Sequence, residues 1–428
     1  MKKYDERETL FSRVALKKGS KEYKEFYRIN GSYRKEDDKQ RRLSFRDKLR
    51  KSDRFKELFF PLTQDNKLYI KTVFDMAESK EVNENRTHLE PGFSSNLKEI
   101  AKYYGATNVG IVKLTDYSYY SHNGGVSEAI DKDTYNQKIL PKYKTAIVYT
   151  VKMDKDFINR GPQFEELLGT EEAYVRVATV GSRLTMYLKE LGYNSMFNNS
   201  EYYLSPLVPL AYDAGLGEIG MCNHLVTKEH GNCVRLGAVF TNLEVNYDKP
   251  IDFGLNEFCK RCALCLANCP SKAITHLPRY VNGRKFYKFD DNRCYDMWLK
   301  SGTDCGTCIS TCPFTQGLDP KVIDDIKDKP ELIDNKMIIR YQGCSENGLC
   351  YPPKRKTIYL KSVTALAASD PVASISTTPI STTRVQTALT ADQNQLSVEQ
   401  DAGAIASLLA NSEGYWVILT FLVLGQKS

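Results

Sequence analysis

Two runs of closely spaced cysteines constrain this chain more than any other feature. The first run has the pattern C-x2-C-x2-C-x3-C-P, and its members are Cys259, Cys262, Cys265 and Cys269. The second run has the pattern C-x2-C-x3-C-P and comprises Cys305, Cys308 and Cys312, with Cys294 upstream of it. This spacing is typical of a protein that binds two [4Fe-4S] clusters.

The spacing also assigns each cysteine to a cluster. Three close cysteines can wrap one face of a cubane, while the fourth points away and ligates the neighbouring cluster. We therefore predict that the first cluster is held by Cys259, Cys262, Cys265 and Cys312. We predict that the second is held by Cys269, Cys294, Cys305 and Cys308, with Cys294 replacing the first cysteine of a regular motif. A pair of zinc sites is the weaker alternative, because such sites favour two separate C-x2-C pairs.

The other four cysteines receive no predicted role. Cys222, Cys233, Cys344 and Cys350 are interpreted as buried or free thiols. Two cubanes can only pass electrons, since all their corners are occupied. A further cofactor must therefore meet the substrate, and we expect it in the domain upstream.

The composition is that of an ordinary globular protein. Apolar residues make up 41% and charged residues 26% of the 428 residues, which excludes a disordered, collagen-like or polytopic membrane chain. The net charge of +7 is too small to predict a nucleic-acid partner. No apolar run of a secretory signal interrupts residues 1–51, so we expect a cytoplasmic protein, or a membrane-associated one if a leader was removed.

The chain divides into five segments by composition and periodicity. They are an N-terminal extension (1–95), a catalytic domain (96–250), an iron–sulfur domain (251–320), a closing segment (321–361) and a low-complexity tail (362–428). The tail is interpreted as disordered or non-native and is assigned no chemistry.

Helix and strand patterns mix within the segment 96–250. A helix, a glycine turn and a strand are predicted over Asn96–Leu114, and a buried strand over Lys144–Met153. An amphipathic helix is predicted over Glu171–Tyr193 with Gly192 as its C-cap, and a further strand over Val234–Val245. This mixture predicts an α/β or α+β fold.

A glycine motif lies between the last helix and the last strand. Gly215, Gly217 and Gly220 match G-x-G-x-x-G, but Pro206 and Pro209 interrupt the segment before them, where a dinucleotide site needs a strand. A nucleotide site is therefore not predicted. The glycines predict either a close approach of the backbone to a large flat group or a tight turn.

Four stretches and the cysteine runs together resemble one family, the corrinoid-dependent reductive dehalogenases, over roughly residues 8–320. The stretches are Ala146–Asp154, Tyr174–Tyr193, Ala214–Gly220 and Val234–Cys259. The resemblance implies a nitroreductase-like domain that holds cobalamin, followed by a ferredoxin-like module with two [4Fe-4S] clusters. It implies an enzyme that replaces a carbon-bound halogen of a small organohalide by hydrogen. An external low-potential electron donor and a membrane-anchor partner are implied as well.

The same resemblance implies roles for individual residues. Tyr174, expected at the head of its helix, corresponds to the proton donor, and Arg235 to the basic residue beside it. An unperturbed tyrosine has a pKa near ~10, and a guanidinium beside it would stabilise the phenolate. Asn199 corresponds to a polar residue over the substrate, with Asn198 nearly as good a match. Gly215, Gly217 and Gly220 correspond to residues at the cofactor.

Some positions depart from the family, and two other functions remain open. Met221 and Cys222 stand where an arginine is usual, and Asn242 replaces an aspartate. The tryptophan-bearing sequence expected after Pro313 to close the active site is missing. The alternatives are an epoxyqueuosine-reductase-like enzyme that acts on tRNA and a non-catalytic electron-transfer protein.

Overall fold

The computed structural model describes residues 3–41, 54–127 and 132–318, and the backbone of two further strands at 336–341 and 354–359. All of these lie in one compact unit, Met1–Val363. The two further strands, Lys336–Tyr341 and Lys354–Tyr359, pair antiparallel within the predicted closing segment. The rest of that segment and the predicted tail, 362–428, lie outside the described residues.

A four-stranded sheet forms the centre of the fold, in the order β1-β2-β6-β3. Its strands are β1 (Asn108–Lys113), β2 (Thr145–Lys152), β3 (Ser195–Asn198) and β6 (Val234–Thr241). All three pairings are antiparallel. Two small hairpins are formed by β4 (Glu218–Ile219) with β5 (Leu225–Val226), and by β7 (Ile274–Val281) with β8 (Arg284–Phe289). The mixed helix and strand fold that the sequence predicts is confirmed, in its α+β form.

Helices surround the sheet and carry the cysteines. In the described ranges they are α1 (Leu10–Ala15), α2 (Lys21–Ile29), α3 (Arg34–Gln40), α4 (Arg54–Ser79), α5 (Ser94–Tyr103), α6 (Lys155–Ile158), α7 (Phe164–Glu190), α8 (Leu207–Asp213), α9 (Leu255–Cys262), α10 (Leu264–Asn268), α11 (Asp291–Ser301) and α12 (Thr307–Ser310). Among the described helices, none is both long and apolar enough to cross a membrane.

The long helix α7 begins at Phe164, seven residues before the predicted start at Glu171. Phe164 and Leu167 are buried. Glu165 and Glu166 lie in the first turn, where the positive end of the helix dipole stabilises negative charge. The prediction that Tyr174 heads the helix is therefore wrong, and Tyr174 lies inside it. The predicted C-cap is present, because Gly192 follows the helix with a φ of +82°.

The main core lies between the sheet and helices α4 and α7. Val177, Leu184 and Leu188 of α7 are fully buried against the sheet, at the predicted spacing of three and four residues. Phe74 of α4 stacks on Tyr202, with ring centroids 3.9 Å apart. The predicted N-terminal extension thus contributes α4 to this core.

We expect a Gly237→Ala substitution to destabilise this core. Gly237 lies directly opposite Tyr149 in the pairing of β2 with β6, and the Tyr149 ring covers it to donate a hydrogen bond to the Val177 carbonyl at 2.8 Å. A Cβ at position 237 would overlap the Tyr149 ring, which is fully buried and cannot move away. Overpacking of this kind lowers the free energy of unfolding by about 1–3 kcal/mol.

Chemical denaturation measures the effect, with Gly92→Ala as the matched control. A Cβ at position 92 meets no atom within 4 Å, so the control should change stability by less than about 0.5 kcal/mol. Equal stability of the two variants would contradict the close packing at Gly237.

Candidate iron–sulfur and catalytic site

Helices α9 and α10 bring the first three cysteines together. Helix α9 carries Cys259 and Cys262 three residues apart, on one face. It ends at Ala263, whose left-handed φ of +45° reverses the chain so that α10 starts at once with Cys265 in its first turn. This tight reversal brings the three thiols to one side of the loop.

The thiols line a cavity. The four predicted ligands of the first cluster, Cys259, Cys262, Cys265 and Cys312, all line it, and so do Cys222 and Cys308. Apolar side chains complete the wall, and Phe314 packs on Phe258 with ring centroids 4.9 Å apart. Sulfur ligands in an apolar shell suit an iron–sulfur cubane.

The cysteines are arranged around a cavity and not around the position of a single metal ion. Within the described residues, no three His, Cys, Asp or Glu side chains are placed to hold a single metal ion. Burial raises the pKa of the Cys259 thiol well above its usual range and that of Cys312 to about 12. Thiols in such surroundings become thiolates when iron replaces their protons.

The other predicted ligand set is assembled beside the first. Cys269 follows α10, and Cys294 lies on α11. Cys305 directly precedes Gly306, whose left-handed φ of +59° starts α12, and Cys308 lies on that helix. Burial, together with the neighbouring Cys305 and Cys269, raises the pKa of Cys294 to about 12. Cys269, Cys294 and Cys305 thus lie near one another, Cys308 also lines the cavity of the first set, and the division into two ligand sets stays a prediction.

Tyr174 and Arg235 meet between helix α7 and strand β6. The Arg235 guanidinium carbon lies 4.9 Å from the centroid of the Tyr174 ring, a cation–π distance. Arg235 Nη2 donates to Thr170 Oγ1 at 2.9 Å and lies 4.0 Å from Asp304 Oδ2. Both Tyr174 and Arg235 keep part of their surface exposed.

The pKa of Tyr174 is shifted in the opposite direction to the lowering expected from Arg235. Burial raises the pKa of the Tyr174 phenol above its ordinary value, and the Arg235 guanidinium opposes this with a smaller lowering. The guanidinium therefore acts in the expected direction but does not outweigh burial.

Sequence patterns did not indicate the groups that surround Arg235. Glu166 is buried and accepts a hydrogen bond from Thr170 at 3.4 Å. Burial raises the pKa of the Glu166 carboxyl well above its usual range, and the neighbouring Asp304 raises it further. Asp304 precedes Cys305, so this buried network connects Arg235 to the loop of the second ligand set. Its members come from distant parts of the chain and form no local motif.

Asn199 and the glycines are placed mainly by local packing. Asn199 Oδ1 accepts hydrogen bonds from the backbone N–H groups of Glu201 and Tyr202, which closes a turn after β3. A Cβ at Gly215 would overlap the Lys249 carbonyl, and one at Gly217 the Val226 carbonyl. These two glycines therefore allow the protein's own backbone to approach, and the tight-turn interpretation accounts for them. Gly220 differs, since it lines the cysteine cavity.

The cysteines outside the two predicted sets have different surroundings. Cys233 is a buried thiol 3.8 Å from the Met153 carbonyl, as expected of a cysteine without a chemical role. Cys344 and Cys350 lie outside the described residues. Cys222, for which no role was predicted, lines the cavity together with the first ligand set and Cys308.

Comparisons with known proteins agree with this arrangement. Residues 258–316 match the family model described as a 4Fe-4S dicluster domain, so this part of the chain is a domain for two [4Fe-4S] clusters. The tetrachloroethene reductive dehalogenase of Sulfurospirillum multivorans is 31% identical over 251 residues, which cover 52% of this chain and 50% of that protein. That of Dehalobacter restrictus is 31% identical over 187 residues, 41% of this chain and 34% of the relative.

A solved structure shows the same fold. It is a reductive dehalogenase structure described as suggesting a mechanism for B12-dependent dehalogenation. The match covers 66% of this chain and 42% of that protein's chain, with a TM-score of 0.56 and 23% sequence identity. The chain spans at most about half the length of these relatives. The chain is therefore similar in sequence to reductive dehalogenases over about half of its length, shares its fold with a solved member of that family, and carries a dicluster domain at residues 258–316.

Proposed function

We propose that the chain catalyses reductive dehalogenation of a small organohalide. In this reaction the carbon–halogen bond breaks, the halide leaves, and two electrons and one proton form the new carbon–hydrogen bond. The observation that carries the proposal is the partly exposed Tyr174 phenol under the Arg235 guanidinium, connected through Asp304 to the Cys305 loop. This contact supports the proposal that the acid for the proton lies beside the module that carries the electrons.

Tyr174 is the proposed proton donor. As its proton leaves, negative charge develops on the phenolate oxygen, and the Arg235 guanidinium stabilises that charge. The hydrogen bond from Arg235 Nη2 to Thr170 orients the guanidinium over the ring.

A corrinoid is the proposed second cofactor, and when bound it supplies a low-potential metal centre for the attack on the carbon–halogen bond. Two buried donors fit an additional polar group, because Arg235 Nε and Asn199 Nδ2 have no hydrogen-bond partner among the described residues. Gly215 and Gly217 do not form a cradle for it, since they contact the protein's own backbone.

Cys259, Cys262, Cys265 and Cys312 would hold one cluster, and Cys269, Cys294, Cys305 and Cys308 the other. When bound, the two clusters would supply one-electron transfer from an external low-potential donor. A membrane-anchor partner and a cytoplasmic or membrane-associated location stay predictions.

Anaerobic reconstitution with iron, sulfide and a corrinoid tests the proposal. We expect about eight irons and one cobalt per chain, and halide release from a chlorinated ethene with reduced viologen as donor. About eight irons with no cobalt and no halide release would contradict the proposal and favour the electron-transfer alternative. Reduction of an epoxyqueuosine-containing tRNA without halide release would contradict it in favour of the tRNA enzyme.

A further inference from the structure

Glu218 is a buried carboxyl group inside the glycine motif, and its hydrogen bonds reach the start of a helix that carries two cysteines. It lies on β4 and is only 3% exposed. Its Oε2 accepts hydrogen bonds from the backbone N–H groups of Phe253 at 2.8 Å and of Leu255 at 3.1 Å. Its Oε1 accepts a further one from Asn256 Nδ2 at 3.3 Å. These donors lie in the first turn of α9 or just before it.

Helix α9 has no side-chain cap from its own N-cap residue. That residue is the buried Gly254, which has no side chain to accept a hydrogen bond from the free N–H groups of the first turn. Buried N–H groups without an acceptor destabilise a structure, so this helix start needs an acceptor from elsewhere. Glu218 supplies it from 37 residues away in the chain.

The glycine motif also contacts the chain that leads from β6 to α9. A Cβ at Gly215 would overlap the Lys249 carbonyl, so this glycine lies directly against that chain. Gly220, two residues after Glu218, lines the cavity of the first ligand set. One short stretch therefore packs on the approach to α9, caps its first turn and forms part of the cavity wall.

We propose that Glu218 is a positioning residue for the first [4Fe-4S] cluster. It holds the start of α9 so that Cys259 and Cys262 on this helix face the cavity. Glu218 acts through the helix and not as a ligand, because its carboxyl oxygens accept hydrogen bonds from the helix start. Helix α9 carries two predicted ligands of the first set and none of the second, so the effect is specific to the first cluster.

The inference rests on the cluster assignment and not on dehalogenation, so it is tested without corrinoid or substrate. The full chain and its variants are reconstituted anaerobically with iron and sulfide, and iron release to a ferrous-iron chelator and EPR spectra of the reduced protein are measured. Glu218→Leu removes the acceptors at similar side-chain volume. It should release about half of its iron about 10- to 100-fold faster than the unchanged protein, the usual effect of losing a residue that supports metal ligands.

Two cysteine variants identify the cluster that is lost. Cys259→Ala removes a predicted ligand of the first set, and Cys294→Ala removes one of the second. After treatment with the chelator, the EPR spectrum of Glu218→Leu should match that of Cys259→Ala and not that of Cys294→Ala.

Glu218→Gln should release iron at close to the unchanged rate, because its amide oxygen can still accept hydrogen bonds from the Phe253 and Leu255 N–H groups. Glu257→Leu is the matched control. Glu257 lies on the same helix but is exposed and pairs with Lys260 at the surface. This control should leave iron release from both clusters unchanged.

The inference would be overturned by a Glu218→Leu variant that releases iron at the unchanged rate or loses both clusters equally fast. A Glu218→Gln variant as labile as Glu218→Leu would overturn it too, since the accepted hydrogen bonds would then not be the cause. Circular dichroism checks the fold of each variant. If Glu218→Leu does not fold, Glu218→Asp takes its place, because its carboxyl group is one methylene further from the helix start. It should show the same selective loss of the first cluster, and unchanged release from that cluster would contradict the inference.

Discussion

Replacing Tyr174 with phenylalanine is expected to lower halide release by about 100- to 10,000-fold, the usual contribution of a general acid. The substitution removes one oxygen and leaves the ring under Arg235, where it still packs against the core. The iron and cobalt content should therefore stay at the level of the unchanged protein. A loss of turnover with both cofactors present would assign the effect to the phenol proton.

Tyr187→Phe is the matched control for this experiment. Tyr187 lies on the same helix, is also partly buried, and has no arginine over its ring among the described contacts. It should retain full activity. If Tyr174→Phe kept more than half of the rate of halide release, another group would have to supply the proton.

The second large effect is expected from Arg13→Met, in the N-terminal region. Arg13 is only 1% exposed, and its Nε lies 3.0 Å from Oδ2 of Asp37, which is fully buried. Its Nη1 lies 3.0 Å from Asp291 Oδ2, and its Nη2 donates to Asn292 Oδ1 at 2.9 Å. Arg13 thereby joins the N-terminal region to the start of the helix that carries Cys294.

Removing this guanidinium leaves the Asp37 carboxylate buried without its counter-ion. Such a change costs about 3–5 kcal/mol of unfolding free energy, most of it from the uncompensated charge. Denaturant titration of the iron-loaded protein measures it. We also expect Cys294 to lose iron at lower denaturant concentration than in the unchanged protein, because its helix loses an anchor.

Two variants make the Arg13 result interpretable. Lys71→Met breaks an exposed ion pair with Asp75 and should cost less than about 0.5 kcal/mol. Arg13→Met/Asp37→Leu removes both charges and should recover part of the loss. A double variant no more stable than Arg13→Met would show that packing of the arginine stem, and not the buried charge, is responsible.

Several elements of the fold were predictable because their signals are local. The strand at Thr145–Lys152 is a continuous run of β-branched and apolar residues, and the inner face of α7 repeats apolar residues every three and four positions. The start of α7 was not predictable in the same way. Residues 164–170 include Gly169 and Thr170, which are poor helix formers, and the burial of Phe164 and Leu167 extends the helix there.

Some features of the site were likewise predictable from local sequence, and others were not. Spacings of two and three residues predicted a two-cluster domain, because the geometry of a cubane is met by cysteines within one short loop. The position of Cys222 in the cavity and the contacts of Arg235 with Thr170 and Asp304 come from chain folding. They join residues far apart in the sequence, and a one-dimensional pattern contains no information about which distant side chains share a buried volume.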